Sequence, residues 1–263
     1  MISKYINALL LVTAASVISS CSSSSGSAVG GTQVTINARP SPAVTLAQPA
    51  GNKTFTNDLG DSITLTRAYI VISNATIEST CGVSFSAAAE QLLNFIIPQA
   101  QAHTSSTPTS IGDPVVVDLL YADNESVHIG TLSPPAETYC GVSLNLLAAD
   151  ADAINLPEAA GTPNMVGKSV YIEGSFILAG GGSGNILIST GAALSSRHVL
   201  LPSLMQLSAN NLSASAGIMF NYDSWFNAID LALLETETAA FTDLGGTNVN
   251  QLLINIGDSI HSF

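Results

Sequence analysis

The chain has 263 residues, enough for one large domain or two small ones, and carries 6 Lys plus Arg against 19 Asp plus Glu for a formal charge of -13. Such an acidic chain repels phosphate backbones and anionic lipid headgroups, which argues against nucleic-acid binding and against electrostatic membrane docking. Apolar residues make up 46% of it, enough for a packed core, and charged residues only 10%, against roughly 25% in an ordinary soluble domain.

The first segment reads as an address. Met1 to Lys4 is a short positive start, and Tyr5 to Val17 is a mostly apolar run of 13 residues, the length of a signal-peptide core and too short to anchor across a bilayer. Ile18-Ser19-Ser20-Cys21 follows. An aliphatic residue, two small residues and a cysteine resemble the bacterial lipobox, in which a peptidase cuts before a diacylated cysteine. Residues 1–20 are therefore expected to be a lipoprotein signal peptide and Cys21 the lipidation site. Residues 22–31, Ser-Ser-Ser-Ser-Gly-Ser-Ala-Val-Gly-Gly, cannot build a core and read as a flexible tether. Ser at position 22, where enteric sorting reads Asp as retention, points to the outer membrane.

Residues 32–263 read mainly as strands. Expected strands lie near 33–37, 43–47, 62–72, 115–120, 126–132, 138–147, 169–178, 186–190, 198–201 and 212–222. In 62–72, Ile63, Leu65, Tyr69 and Val71 share one face with Arg67, which must then sit at an edge or carry a partner. Residues 115–120 are an apolar run interrupted by Asp118. Gly180-Gly181-Gly182-Ser183-Gly184 reads as a hairpin tip. Regular strands separated by turn signals predict an antiparallel β-sandwich. Three stretches carry helical spacing instead: 86–97, 224–235 (Trp225, Ile229, Leu233) and 247–260 (Val249, Leu252, Leu253, Ile256, Ile260). They predict short peripheral helices and a helical C-terminal region.

With Cys21 lipidated, Cys81 and Cys140 remain, and an exported chain with two cysteines is expected to pair them. Each lies in an alternating run, Cys81-Val83-Phe85 and Cys140-Val142-Leu144, that turns its thiol toward apolar surroundings. A metal-ligand pair is the rival reading, without any Cys-x-x-Cys or Cys-His spacing to support it.

Candidate chemistry is sparse. The chain contains no Gly-x-Ser-x-Gly, Ser-x-x-Lys, His-Glu-x-x-His or Walker loop, and the expectation is a module without enzymatic activity. Of the histidines, His128 is expected to face solvent, His198 to start a strand and His261 to fray at the terminus. His103, in a polar loop, is the candidate metal ligand, with copper as the candidate ion. Asp150, Asp152, Asn155 and Glu158 offer oxygen ligands, but Ile154 and Asn155 stand where a calcium loop needs an oxygen donor and a glycine, leaving a solvated turn as the expectation. Trp225 and Tyr222 are candidate ligand-binding residues, as a platform on which a sugar would stack, or else an aromatic plug of the sandwich end. Met165, Met205 and Met219 are soft ligands in principle and gap fillers otherwise.

Gly112-Asp113-Pro114-Val115-Val116-Val117-Asp118-Leu119-Leu120, then His128-Ile129-Gly130-Thr131-Leu132-Ser133-Pro134-Pro135, then Thr138-Tyr139-Cys140-Gly141-Val142, resembles a pattern in secreted bacterial lipoproteins of uncharacterised function. It is loosely similar to the methanobactin-associated periplasmic copper-binding family. Ala136-Glu137 stands where those proteins often carry Gly after Pro. The resemblance implies a β-sandwich on the cell envelope. It implies copper only weakly, because the family's histidine and aromatic ligands have no matching positions here. The expected partners are the membrane through the lipid anchor and an envelope protein or glycan. The expected role is a binding or structural module, with a copper-binding or glycan-binding module as alternatives.

Overall fold

The computed structural model describes residues 31–81, 106–233 and 247–263. The leader, Cys21, the expected helix 86–97, Val83, Phe85 and His103 lie outside the described residues.

Thirteen strands are described: β1 (Gln33–Ser41), β2 (Lys53–Thr56), β3 (Ser62–Ile72), β4 (Asn74–Glu78), β5 (Ser110–Ile111), β6 (Val115–Asp118), β7 (Val127–Leu132), β8 (Thr138–Leu146), β9 (Val170–Ile177), β10 (Ser183–Thr190), β11 (Leu194–Gln206), β12 (Ser213–Asn221) and β13 (Ile260–Ser262). Helix α1 spans Thr247–Asp258. The chain is mainly β and built of antiparallel sheets, as the β-sandwich reading expects. The first sheet runs β13-β12-β1-β7, the second β10-β9-β3-β2 with β6 also on β3, and the third β11-β8-β4-β5. One pair departs from the antiparallel rule: β1 lies parallel to β12, from Gln33↔Ser213 to Ser41↔Asn221.

The main core draws on all three sheets. Alternation places Val34, Ile36 and Ala38 of β1 and Ala216, Ile218 and Phe220 of β12 inside it. Only Ser73 separates β3 from β4, so one extended run leaves the second sheet and enters the third there. The Ser73 N–H and hydroxyl both donate to the Asn145 carbonyl, at 2.9 Å each, the kind of corner by which sandwiches change sheets. Helix α1 buries Val249, Leu252, Leu253 and Ile256, as its spacing predicts. It stops at Asp258, and Ile260 to Ser262 pair with β12 through Phe220↔Ile260 and Met219↔His261. His261 is thus a strand residue and not a frayed end.

The face expected for β3 is corrected by a bulge. Register shifts between Leu65 and Arg67, and one extra residue reverses inside and outside beyond it. Ile63 and Leu65 therefore enter the main core with Ala68, Ile70 and Ile72, whereas Tyr69 and Val71 turn to the opposite face. Gly174 stands across from the bulge, where a Cβ would lie 2.3 Å from the Thr64 carbonyl oxygen, so no larger residue fits. Arg67 does carry a partner, the carboxylate of Glu173.

Two further expectations fail locally. Residues 43–47 form a loop, not a strand, with Val44 85% and Leu46 90% exposed. The N–H groups of Ala43, Val44 and Thr45 donate to the Asp223 carboxylate at 2.7, 2.9 and 3.1 Å. A buried carboxylate 180 residues along the chain does what a neighbouring strand would have done. In 224–235, Trp225 and Ile229 are buried as expected, but Tyr222–Ser224 is a 3-10 turn, Ala228 has φ 57, and helix is described only over 231–233, where Leu233 is exposed; 234–235 lie outside the described residues.

Cys81 and Cys140 form a disulfide with Cα atoms 5.8 Å apart. Both are half-buried at the margin of the core, where the bond ties the end of the β3–β4 run to β8. Closing 59 residues restricts the unfolded chain, worth about 4 kcal/mol in the chain-entropy account. The Cys81→Ala/Cys140→Ala double variant should lose about that much in a urea titration; a loss below ~1 kcal/mol would show that the unfolded state is already restricted.

Candidate functional site

The outer face of the second sheet is apolar and needs a cover. The loop between β8 and β9 supplies it. Its neck is closed by Ala149 N–H to Lys168 O at 2.9 Å and Gly167 N–H to Ala149 O at 2.8 Å. Its middle is pinned to β6 by Val116 N–H to Ile154 O at 2.9 Å and Ile154 N–H to Pro114 O at 2.8 Å. Beneath it Tyr69, Val71, Val116, Ala149, Ala153 and Met165 pack into a second, smaller cluster. Met165 is fully buried there, a gap filler and not an accessible ligand.

The cover is incomplete. It leaves a half-open cleft of about 230 Å³ whose lining includes Tyr69, Val116, Asp118, Tyr121, Asn155 and Glu158. Asn155 holds φ 61, the left-handed region that asparagine tolerates better than most residues. Asp118, Tyr69 and Tyr171 stand in one row across β6, β3 and β9. Asp118 Oδ1 accepts the Leu120 N–H at 2.9 Å. Burial pushes the Asp118 carboxyl above its ordinary pKa, opposed by that N–H and by the charge of Lys53. Burial, then the charge of Asp118, raises the Tyr69 phenol.

Among the described residues no basic side chain pairs directly with Asp118 or Glu158; Lys53 acts on Asp118 only as a more distant charge. The six basic residues are Lys4, which lies outside the described residues, and Arg39, Lys53, Arg67, Lys168 and Arg197. Lys53 pairs with Asp123, Arg67 with Glu173, and Arg197 with Asp258. Arg39 stacks 3.6 Å from the centroid of the Phe263 ring, and Lys168 donates to the Asn164 carbonyl.

The wall of the cleft is fixed from behind. Two residues after Tyr121, the fully buried Asp123 side chain lies 3.0 Å from Lys53 Nζ, itself fully buried. Asp123 Oδ2 accepts the Tyr222 hydroxyl at 2.7 Å and the Gln48 N–H at 2.6 Å. Lys53 Nζ also donates to the Pro49 carbonyl at 3.0 Å. Burial and the Asp123 carboxylate together raise the Tyr222 phenol far above its ordinary pKa, so it stays protonated as a donor.

This placement corrects the sugar-stacking reading. Tyr222 and Trp225 are both 0% exposed. The Trp225 indole N–H donates to Ser259 Oγ at 2.9 Å, and Phe55 packs 5.7 Å from the Tyr222 ring. They form the aromatic plug of the alternative reading and offer no face to a glycan. His198 sits on the third sheet with Nδ1 2.9 Å from Glu78 Oε1, and His128 is exposed on β7. Among the described residues no three His, Cys, Asp or Glu side chains converge on a site of metal size. Sequence reasoning passed over Asp118, Tyr69 and Tyr121 as binding residues, and it weighed Asn155 and Glu158 only as oxygen donors of a calcium loop that the spacing does not fit; the available signal for Asp118 was a carboxylate inside the apolar run 115–120.

No family model matches the chain, and neither a curated protein nor a solved structure matches it.

Because burial raises the Asp118 carboxyl, the folded chain keeps that proton over a pH range in which the unfolded chain has released it. Stability falls as pH rises through this range, and the penalty is complete above the folded value. Asp118→Asn retains an oxygen to accept the Leu120 N–H and removes the charge. Its thermal midpoint should exceed that of the unaltered chain at pH 7 and match it near pH 3. A lower midpoint at pH 7 would mean that the charge is compensated in the fold.

Proposed function

We propose that this chain is a lipid-anchored binding module of a bacterial cell envelope. Cys21 carries the acyl chains, residues 22–31 are the tether, and the cleft beside Asp118 receives the ligand. The observation that carries the reading is the Cys81–Cys140 disulfide. Such bonds persist in oxidising compartments and are rare in a reducing cytosol, which supports export, and the leader supplies the route. Acyl chains contribute roughly 0.8 kcal/mol per buried methylene, so one chain holds a protein marginally and several hold it firmly. The cleft supports binding over a purely structural role, because it leaves Tyr121 and Glu158 open to solvent above a formed floor. Ser22 favours the outer membrane.

The test is metabolic labelling with an alkyne-bearing palmitate analogue in the bacterial host. Label should appear on the unaltered chain, disappear in Cys21→Ala, and take the protein from the membrane pellet to the soluble fraction as it goes. Label retained by Cys21→Ala, or an intact leader on the mature protein, overturns the anchor.

A further inference from the structure

Resting on the reading of the cleft as a binding site, we propose that its ligand is a small organic ammonium ion, held between the carboxylates of Asp118 and Glu158 with its carbon body against Tyr69 and Tyr121. The argument begins from the count of cations. All five basic residues in the described chain are committed elsewhere, to Asp123, Glu173, Asp258, the Phe263 ring and the Asn164 carbonyl. Among the described residues no basic side chain therefore pairs directly with Asp118 or Glu158, and Lys53, which is paired with Asp123, reaches Asp118 only as a more distant charge, in a chain of net charge -13. The field in the cleft thus favours a cationic ligand and repels an anionic one.

The rest of the lining sets the kind of cation. Val116, Val127, Pro157 and Ala159 bring carbon into the cleft. A bare calcium ion takes six to eight oxygen ligands and gains nothing from such a surface. An alkylammonium uses both halves: its nitrogen meets the carboxylates and its carbon meets the apolar wall. Tyrosine rings add to this preference, since the face of an aromatic ring attracts cations. Tyr69 forms the floor, 9% exposed, and Tyr121 the rim, 43% exposed. Asn155 and Thr162 add hydrogen-bonding groups for a ligand hydroxyl or N–H. Size sets a limit. A cleft of about 230 Å³ holds about eight waters' share of liquid volume, and lies below the range of pockets for drug-sized ligands. It suits an ammonium bearing a handful of carbons.

The experiment uses the full chain, purified in a mild non-ionic detergent, with calorimetric titration of choline and of n-butylammonium. The neutral isostere of choline, 3,3-dimethylbutan-1-ol, serves as control, and calcium chloride as a separate arm. Saturable one-to-one binding of at least one ammonium probe is expected, with the isostere at least tenfold weaker. Asp118→Asn and Glu158→Gln should each weaken the ammonium at least tenfold while leaving the circular dichroism spectrum and the disulfide intact. The proposal is overturned if neither probe binds at millimolar concentration to the intact chain, or if the neutral isostere binds as well. It is equally overturned if both variants bind like the unaltered chain, or if calcium alone binds and Asp118→Asn abolishes it. Titration and labelling of the unaltered chain together separate this proposal from the anchor: labelling without ammonium binding refutes the ligand alone, and ammonium binding without labelling refutes the anchor alone.

Discussion

The Lys53–Asp123 ion pair is the contact on which the arrangement of this end of the molecule depends. Both side chains are removed from water entirely, at an effective cost of several kcal/mol per ion. Their mutual attraction at 3.0 Å works against this cost, helped by Tyr222 and Gln48, which donate to Asp123 Oδ2, and by the Pro49 carbonyl, which accepts from Lys53; Asp123 Oδ1 has the Lys53 charge alone. Four segments that are distant in sequence thereby share one point: the 42–52 loop, the start of β2, the turn after β6 and the end of β12. A hydrophobic pair of similar volume would hold them as tightly or better. It would not set their register, since an apolar contact has no preferred partner atom. The ion pair thus contributes specificity of placement, and the group it places is Tyr121, two residues away on the rim of the cleft. Breaking it by Lys53→Ala leaves a buried carboxylate uncompensated and should cost about 3–5 kcal/mol in a urea titration, with much of that recovered by Lys53→Met/Asp123→Leu. Recovery of stability without recovery of ligand binding is the expected signature of a pair retained for placement.

The bulge in β3 has a consequence of similar reach. Without it, Tyr69 and Val71 would point into the main core and Ala68, Ile70 and Ile72 to the outer face. Residues 68–72 are apolar throughout, so this end of β3 is apolar on both sides, and the bulge decides that Tyr69 and Val71 are the pair that faces outward. Burying a side chain such as Val71, Val116 or Met165 contributes roughly 1.5–3 kcal/mol, which is the gain that recruits the β8–β9 loop as a cover. A loop cannot tile a pleated surface as a second sheet would. The cleft is the part it leaves open, walled by Asp118 on the sheet and by Asn155 and Glu158 on the loop.

Local alternation made most of the fold legible. β1, β7, β8, β9 and β12 follow from period-two patterns, and α1 follows from Val249, Leu252, Leu253 and Ile256. The failures share a cause. Residues 43–47 alternate like a strand, yet their N–H groups are taken by Asp223, whose proximity no local pattern encodes. The parity of Tyr69 was inverted by a bulge whose enabling residue, Gly174, lies on another strand. Trp225 and Tyr222 were legible as a cluster, but their depth depends on Phe55 and Ser259 from opposite ends of the chain. The cleft was invisible for the same reason, as its lining comes from β3, β6, β7 and the β8–β9 loop.

Sparse charge gives each cation an unusually large role. In a surface rich in both signs, a carboxylate such as Asp118 would find a lysine within reach, and exposed pairs of that kind contribute at most about 1 kcal/mol. Here Arg67–Glu173 and Arg197–Asp258 are pairs of this partly exposed type, so they add little to stability. Their effect is to neutralise two carboxylates and leave others unmatched. Asp118 cannot escape its own burial, because β6 is held on one side by β3 and on the other by Ile154 of the covering loop. The same hydrogen bonds that build the cover therefore keep a desolvated negative charge beside an apolar floor. A fold that maintains such a charge at a cost to its own stability, within reach of solvent, is poised to gain from a cation that supplies what its own side chains do not.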